Sequence, residues 1–217
     1  MPQPITTLMP VPLVPEISLH LVAGTVGLFD LSGGEYRSDE PPPFWAFVWA
    51  GGQALARYLL DHPEKVAGKR VHDLATGSGI VAIAAAKAGA TEVAATDLDP
   101  ASVAAAHRNA RANGVALSNT SEKSKLSAKG ADGEKSLKMD VPDVLLAGDV
   151  YYSPAVAPQM TAAFRAARRE GAEVLVGDPG RGHFPERLFE RVAEYVVPVP
   201  PALEEAETLV TGVWRLR

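Results

Sequence analysis

The sequence contains no cysteine among its 217 residues. This absence excludes disulfide bonds, thiolate nucleophiles and cysteine-ligated metals. The five histidines show no spacing typical of metal ligands, so we expect no metal site. Residues 1–15 lack the lysine or arginine of a targeting signal, and no apolar run reaches the roughly 20 residues of a membrane-spanning helix. We therefore expect a cytoplasmic protein with no membrane partner.

The sequence also lacks an excess of positive charge. Its formal net charge is -5 and its pI is about 5.6. Nucleic-acid-binding domains need a clustered basic face, so we expect no nucleic-acid partner. Hydrophobic residues make up 47% of the chain, which is enough for a sizeable core. The length and the early prolines predict a proline-rich N-terminal arm over residues 1–43 and one domain over residues 44–217.

Predicted strands and helices alternate through most of residues 44–217. The predicted strands cover residues 70–75, 92–96, 141–147, 173–177 and 208–216. The predicted helices cover residues 53–61, 79–87, 100–113, 154–169 and 185–195, and Asp99 and Gly114 flank the third of them. Such alternation is typical of a doubly wound α/β fold, in which helices cover both faces of a mostly parallel sheet.

One polar segment, residues 118–138, interrupts this alternation. It is rich in serine, lysine and glycine, and only residues 115–117 indicate the strand that is expected there. We interpret the segment as a solvated loop. The alternative is a lid or a loop that docks a partner.

The main chemical signal is a glycine loop that follows a strand. Asp73 lies near the end of the strand, and Gly77 and Gly79 open the next helix, where free backbone N–H groups can face a ligand. Asp97, at the end of the next strand, can accept hydrogen bonds from both hydroxyls of a ribose. A dinucleotide and S-adenosylmethionine both fit this pattern. The acid before the glycines, and the short chain after them, favour S-adenosylmethionine.

Residues 73–79 (DLATGSG) resemble motif I of the seven-stranded S-adenosylmethionine methyltransferases, with Ala75 in place of the first glycine. Residues 41–60, 148–152 and 177–181 resemble the electron transfer flavoprotein beta-subunit lysine methyltransferases more specifically. The resemblance implies a Rossmann-like, mostly parallel seven-stranded sheet and S-adenosylmethionine as cofactor. It also implies a protein substrate, the beta subunit of the electron transfer flavoprotein.

The resemblance further implies roles for individual residues. Implied cofactor-binding residues are Trp49, Asp73, Ala75, Gly77, Gly79, Asp97 and Leu98. Implied catalytic residues are Asp149 and Tyr152, an acidic-x-x-aromatic motif that receives the target lysine. In the family, a polar residue contacts the adenine amine; Glu122 is our candidate for it.

Three other functions stay open at this point. They are a small-molecule N-methyltransferase with a nicotinamide-like acceptor, a ribosomal-protein methyltransferase and a non-catalytic nucleotide-binding module. Ribosomal-protein methyltransferases share the loop Gly77-Ser78-Gly79-Ile80 but carry an asparagine-centred motif where this chain has Asp149. Some site residues also have structural interpretations. Asp149 could cap the helix after Pro154, and residues 178–180 (DPG) predict a tight turn.

Overall fold

A computed structural model describes residues 4–22, 42–118, 141–200 and 206–217. The described residues form eight strands: β1 (Thr7–Pro10), β2 (Ser18–Leu21), β3 (Arg70–Leu74), β4 (Glu92–Thr96), β5 (Val144–Gly148), β6 (Glu173–Asp178), β7 (Phe189–Pro198) and β8 (Thr208–Leu216). They also form four α-helices: α1 (Ala50–Asp61), α2 (Ile80–Lys87), α3 (Pro100–Ala112) and α4 (Ala157–Arg169).

The central sheet has the strand order β4-β3-β5-β6-β8-β7. Strands β4, β3, β5 and β6 are mutually parallel, and β8 and β7 add an antiparallel edge. Six strands of this sheet lie within the described residues, and a parallel bridge between Ala94 and Ser118 continues it on the outer side of β4. The prediction of a doubly wound, mostly parallel sheet is therefore confirmed.

Both faces of the sheet are buried. Along β5, Val144 and Leu146 face the larger core with α1, α2 and α3, whereas Leu145 and Ala147 face a second core that contains Phe164 of α4. A strand covered on both faces needs apolar residues at every position, which explains the continuous apolar run of β5.

The predicted helix over residues 185–195 is wrong. A short 3-10 helix (Glu186–Leu188) leads into strand β7, which pairs with β8 over its whole length. The register shifts between Arg191 and Ala193, where the strand carries a bulge. The bulge breaks the two-residue alternation of buried and exposed positions, so the apolar spacing resembles that of a helix.

Most other predicted elements are confirmed, with shifted ends. Strands β4 and β8 have the predicted bounds. Helix α3 begins as expected, because the Asp99 carboxylate accepts a hydrogen bond from the N–H of Ala101 at 2.8 Å. Gly114 follows that helix with a φ of 69°. Helix α1 begins at Ala50, three residues earlier than predicted, and so includes Gly51 and Gly52.

The described part of the N-terminal arm forms a hairpin, β1–β2, on the main core. Its Val11, Ile17 and Leu19 are fully buried. The amide oxygen of Asn109 in α3 accepts a hydrogen bond from the N–H of His20 at 2.9 Å, and this bond ties the hairpin to the domain. The division of the chain at residue 43 stays a prediction. No helix within the four described ranges is long and apolar enough to cross a bilayer.

Candidate active site

Four carboxylates lie at the carboxyl ends of the four parallel strands. Asp73 and Asp178 lie near the ends of β3 and β6, and Asp97 and Asp149 directly follow β4 and β5. Because these strands are parallel neighbours, their carboxyl ends meet at one edge of the sheet, where ligands of doubly wound folds bind. Asp73 pairs in register with Leu146, so the two groups of predicted site residues lie on adjacent strands.

The Asp73 carboxylate lies fully buried beneath the glycine loop. Its Oδ2 accepts hydrogen bonds from the Thr76 hydroxyl at 2.6 Å and from the N–H of Ala82 in α2 at 3.1 Å. Its Oδ1 has no hydrogen-bond partner among the described residues. Burial raises the pKa of Asp73 to about 7, although both hydrogen bonds oppose this shift.

Three residues of the loop adopt a left-handed backbone conformation. Their φ angles are 58° at Ala75, 52° at Gly77 and 85° at Gly79. A Cβ at Gly79 would lie 2.8 Å from the Cα of Ala106, so glycine is needed there for α2 to approach α3. A Cβ at Gly77 would have nothing within 4 Å, so open space lies beside this part of the loop.

Asp97 joins the loops that follow β3 and β4. Its Oδ2 accepts a hydrogen bond from the N–H of Gly77, and its Oδ1 accepts one from the N–H of Asp99, each at 3.0 Å. A carboxylate offers about four acceptor sites, so each oxygen retains capacity for another donor. Burial raises the pKa of Asp97, and these hydrogen bonds oppose the shift. The neighbouring Leu98 side chain is 99% exposed.

Asp149 lies at the N-terminus of α1. Its Oδ2 accepts a hydrogen bond from the N–H of Gly52 at 2.9 Å, and its Oδ1 accepts one from the Arg181 guanidinium at 3.2 Å. The positive end of the helix dipole also favours a carboxylate here. Burial raises the pKa of Asp149, whereas Arg181 and Gly52 lower it. The interpretation of Asp149 as the cap of the helix after Pro154 is therefore wrong, because the carboxylate faces α1.

Two glycines permit this close approach. A Cβ at Gly51 would collide with the carbonyl oxygen of Gly177 in β6, and a Cβ at Gly177 would collide with the carbonyl oxygen of Gly51. The first turn of α1 therefore packs directly against the end of β6. This packing brings the N–H groups of α1 to the Asp149 carboxylate.

A row of aromatic rings lies beside Asp149. The indole N–H of Trp49 donates to the carbonyl oxygen of Phe44 at 3.0 Å. The ring of Phe44 lies 6.0 Å from that of Trp49 and 6.1 Å from that of Tyr152. Tyr152 is 55% exposed and Phe44 is 37% exposed. This row therefore presents aromatic faces at the surface of the site.

Arg181 is the site residue to which sequence reasoning assigned no role. Oδ1 of Asp178 accepts hydrogen bonds from the N–H groups of Gly180 and Arg181, each at 2.8 Å, and so forms the predicted tight turn. The turn directs the Arg181 guanidinium toward Asp149, with its carbon 5.8 Å from the Trp49 ring centre. The available signal was the turn sequence itself, which says little about where the next side chain points.

The residues at this edge fit S-adenosylmethionine, the cofactor that the resemblance implies. The unpartnered Oδ1 of buried Asp73 is suited to a cationic amino-acid group. Asp97 has remaining acceptor capacity for ribose hydroxyls, and exposed Leu98 offers an apolar surface for a base. Glu122 and residues 119–138 of the polar segment lie outside the described residues.

Comparison with known proteins agrees with this geometry. Residues 54–145 match the family model of ribosomal protein L11 methyltransferases. The electron transfer flavoprotein beta subunit lysine methyltransferase of Danio rerio is 36% identical over 94% of this chain and 76% of its own. The Homo sapiens protein of that name is 33% identical over 93% of this chain and 75% of its own.

Solved structures support the fold. The ribosomal protein L11 methylase of Lactobacillus delbrueckii superimposes with a TM-score of 0.52 and 21% identity, over 96% of this chain and all of its own. The Danio rerio and Homo sapiens relatives match nearly the whole chain, whereas the L11 model covers only residues 54–145. The chain is therefore an S-adenosylmethionine-dependent methyltransferase, and it belongs to the electron transfer flavoprotein beta subunit lysine methyltransferase family.

Proposed function

We propose that this enzyme methylates a lysine of the electron transfer flavoprotein beta subunit. The observation that carries the proposal is the position of Asp149, one strand from the Asp73 loop and paired with Arg181, whose guanidinium carbon lies 5.8 Å from the Trp49 ring of the aromatic row. Relatives named for this reaction match nearly the whole chain. The match to the ribosomal protein L11 model ends at residue 145, before Asp149, and so includes only the cofactor half.

In this proposal, one set of residues binds the cofactor and another set binds the acceptor lysine. Asp73 and the glycine loop (residues 75–79) hold the amino-acid end of the cofactor, and Asp97 and Leu98 hold its ribose and adenine. Trp49 covers the cofactor. Asp149 orients the acceptor nitrogen, and Tyr152 and Phe44 line the path of the lysine. Aromatic faces attract both the ammonium group and the methylated product.

S-adenosylmethionine supplies an electrophilic methyl group on a sulfonium ion. The acceptor must be a neutral amine, yet a lysine with a pKa near 10.4 is almost fully protonated at neutral pH. The amine must therefore lose its proton to water before it attacks. With the cofactor bound, the amine lone pair would accept the methyl group, and the thioether would leave with the electrons of the C–S bond. Asp149 and the aromatic row contribute position and electrostatics.

Methyl transfer to the purified beta subunit tests the proposed function. We expect the protein, supplied with S-adenosylmethionine, to raise the mass of that subunit by one or more methyl groups on a lysine. Ribosomal protein L11 and nicotinamide serve as acceptors for the two alternative methyltransferase functions. Transfer to either of these, with none to the beta subunit, would overturn the proposal.

The raised pKa of Asp73 predicts pH-dependent cofactor binding. Below a pH of about 7 the buried carboxyl is mostly protonated and cannot pair with the ammonium group of the ligand. The affinity for S-adenosylhomocysteine should therefore rise about tenfold between pH 6 and pH 7.5. Calorimetric titration measures this change, and Asp73→Asn should abolish it. An equal rise in the variant would show that another group titrates.

We also propose that the enzyme acts in the cytoplasm, on a protein partner and without nucleic acid or membrane. The net charge of -5 supports this proposal, because it gives no general attraction for anionic surfaces.

A further inference from the structure

The candidate acceptor site contains an electrostatic conflict. Asp149 attracts the lysine ammonium group, but an adjacent carboxylate also raises the pKa of an amine and keeps it protonated. Asp178 adds a second carboxylate; burial raises the pKa of Asp178 to about 6, and the charge of nearby Asp149 contributes to this rise. Two acids therefore face a reaction that needs a neutral amine.

Arg181 supplies a positive charge that acts on both acids. Its guanidinium lies 3.2 Å from Oδ1 of Asp149, and its backbone N–H is held by Asp178 at 2.8 Å. The Arg181 side chain is 22% exposed, and that of Asp149 is 8% exposed. The pair is therefore largely shielded from solvent. Charges in such a shielded place interact more strongly than charges at an open surface.

The other groups around the pair cannot replace this charge. The first turn of α1 carries backbone N–H groups and no charged side chain. The titratable or charged neighbours on the remaining described elements include Asp178, Tyr151 and Arg165 of α4. The Tyr151 hydroxyl lies 3.3 Å from that of Thr161, and burial raises the pKa of Tyr151 above its ordinary value. Arg165 is a cation, but its charge acts on Tyr151, whereas the cation that acts on Asp149 is Arg181.

We propose that Arg181 is a built-in counter-ion of Asp149 that keeps the acceptor lysine in its uncharged, nucleophilic form. This inference rests on the proposed function. Arg181 offsets part of the negative charge of the two acids, so the entering amine meets a weaker negative potential than the acids alone would give. The entering ammonium group donates a hydrogen bond to a free acceptor position of Asp149, gives one proton to water, and so becomes the neutral amine. Arg181 is thus a positioning residue that acts through Asp149.

The pH dependence of kcat tests this proposal, because kcat reports groups that titrate in the substrate complex. Arg181→Met removes the charge and retains an apolar chain against Trp49. We expect the acidic limb of the kcat profile to move upward by about one to two pH units. Near pH 8, kcat then falls about tenfold or more, whereas at high pH it approaches the parent value. Arg181→Lys keeps the positive charge, so the acidic limb of its kcat profile should lie near that of the parent.

Arg191→Met is the matched control. The Arg191 guanidinium carbon lies 5.7 Å from the ring centre of Trp214, and the guanidinium pairs with Glu194, so this change also removes an arginine from an indole face but removes no charge that pairs with Asp149. Its kcat profile should match that of the parent. If Arg181→Met destabilises the fold, as judged by thermal unfolding, Arg181→Gln provides a second neutral side chain.

A second readout does not depend on turnover. Calorimetry in buffers of different ionisation enthalpy measures protons released when the beta subunit binds the enzyme–S-adenosylhomocysteine complex. We expect the parent to release more protons per acceptor at pH 8 than Arg181→Met releases. An equal loss of kcat at every pH, or unchanged proton release, overturns the counter-ion role. An inactive parent overturns the proposed function and this inference together.

Discussion

Asp149→Asn should lower kcat/KM for the protein substrate about 100-fold or more, while affinity for S-adenosylhomocysteine stays near that of the parent. Removal of one preorganised group at a reacting centre typically lowers the rate by about this factor. Asparagine retains the shape of the side chain, and its amide oxygen can still accept from the N–H of Gly52 in α1. It loses the negative charge that attracts and orients the acceptor amine. Steady-state kinetics with calorimetric titration of the product separates these effects.

Asp143, at the opposite end of β5 from Asp149, provides the matched control for Asp149→Asn. Asp143 lies just before β5 and pairs with Arg70 at 3.3 Å, with both side chains substantially exposed. Exposed pairs of this kind contribute little to stability, so Asp143→Asn should leave kcat/KM unchanged. Full activity of Asp149→Asn with bound cofactor would remove Asp149 from the mechanism. Loss of cofactor affinity in that variant would instead assign it to the cofactor pocket.

Asp149 shows which features of the site can be predicted from the sequence and which cannot. The predicted strand over residues 141–147 placed Asp149 just after β5, and the family resemblance implied its role; the structure shows that β5 lies beside β3, which carries Asp73. The sequence does not predict that the Asp149 carboxylate faces α1. That contact forms because Gly51 and Gly177 have no Cβ, so the backbones of α1 and β6 can pack directly against each other. Two glycines far apart in the chain carry no local signal for such a contact.

The same limit explains the error in strand β7. The residues of β7 are apolar at intervals that resemble a helix, and only pairing with β8 makes them a strand. By contrast, strand β4 and the cap of α3 were predicted correctly. Their determinants are local: an apolar run bounded by turn residues, and Asp99 directly before Pro100. Elements defined by long-range pairing or by close backbone packing are those that the sequence leaves open.

The second large effect is expected at Asp97. Asp97→Ala should weaken binding of S-adenosylhomocysteine about 100-fold or more. Hydrogen bonds to charged groups contribute roughly 1.5–3 kcal/mol each, so losing two ribose hydroxyl contacts costs on the order of 3 kcal/mol. The variant also releases the N–H groups of Gly77 and Asp99, which the carboxylate now holds. Calorimetric titration of the folded variant measures the change in Kd.

Asp99→Asn distinguishes a ligand contact from a loosened loop. Asp99 lies two residues away and caps α3, and asparagine caps a helix as well as aspartate does, so the loop and the helix should both persist. We therefore expect the Asp99 variant to bind the product like the parent. Asp97→Asn also separates the loss of a ligand contact from a loosened loop. It removes the carboxylate charge but keeps an oxygen that can accept a hydrogen bond from the N–H of Gly77. An intermediate affinity for Asp97→Asn indicates that the carboxylate binds the ribose directly. Parent-like affinity of Asp97→Ala would contradict the ribose assignment and leave the loop N–H groups and Asp73 as the main cofactor contacts.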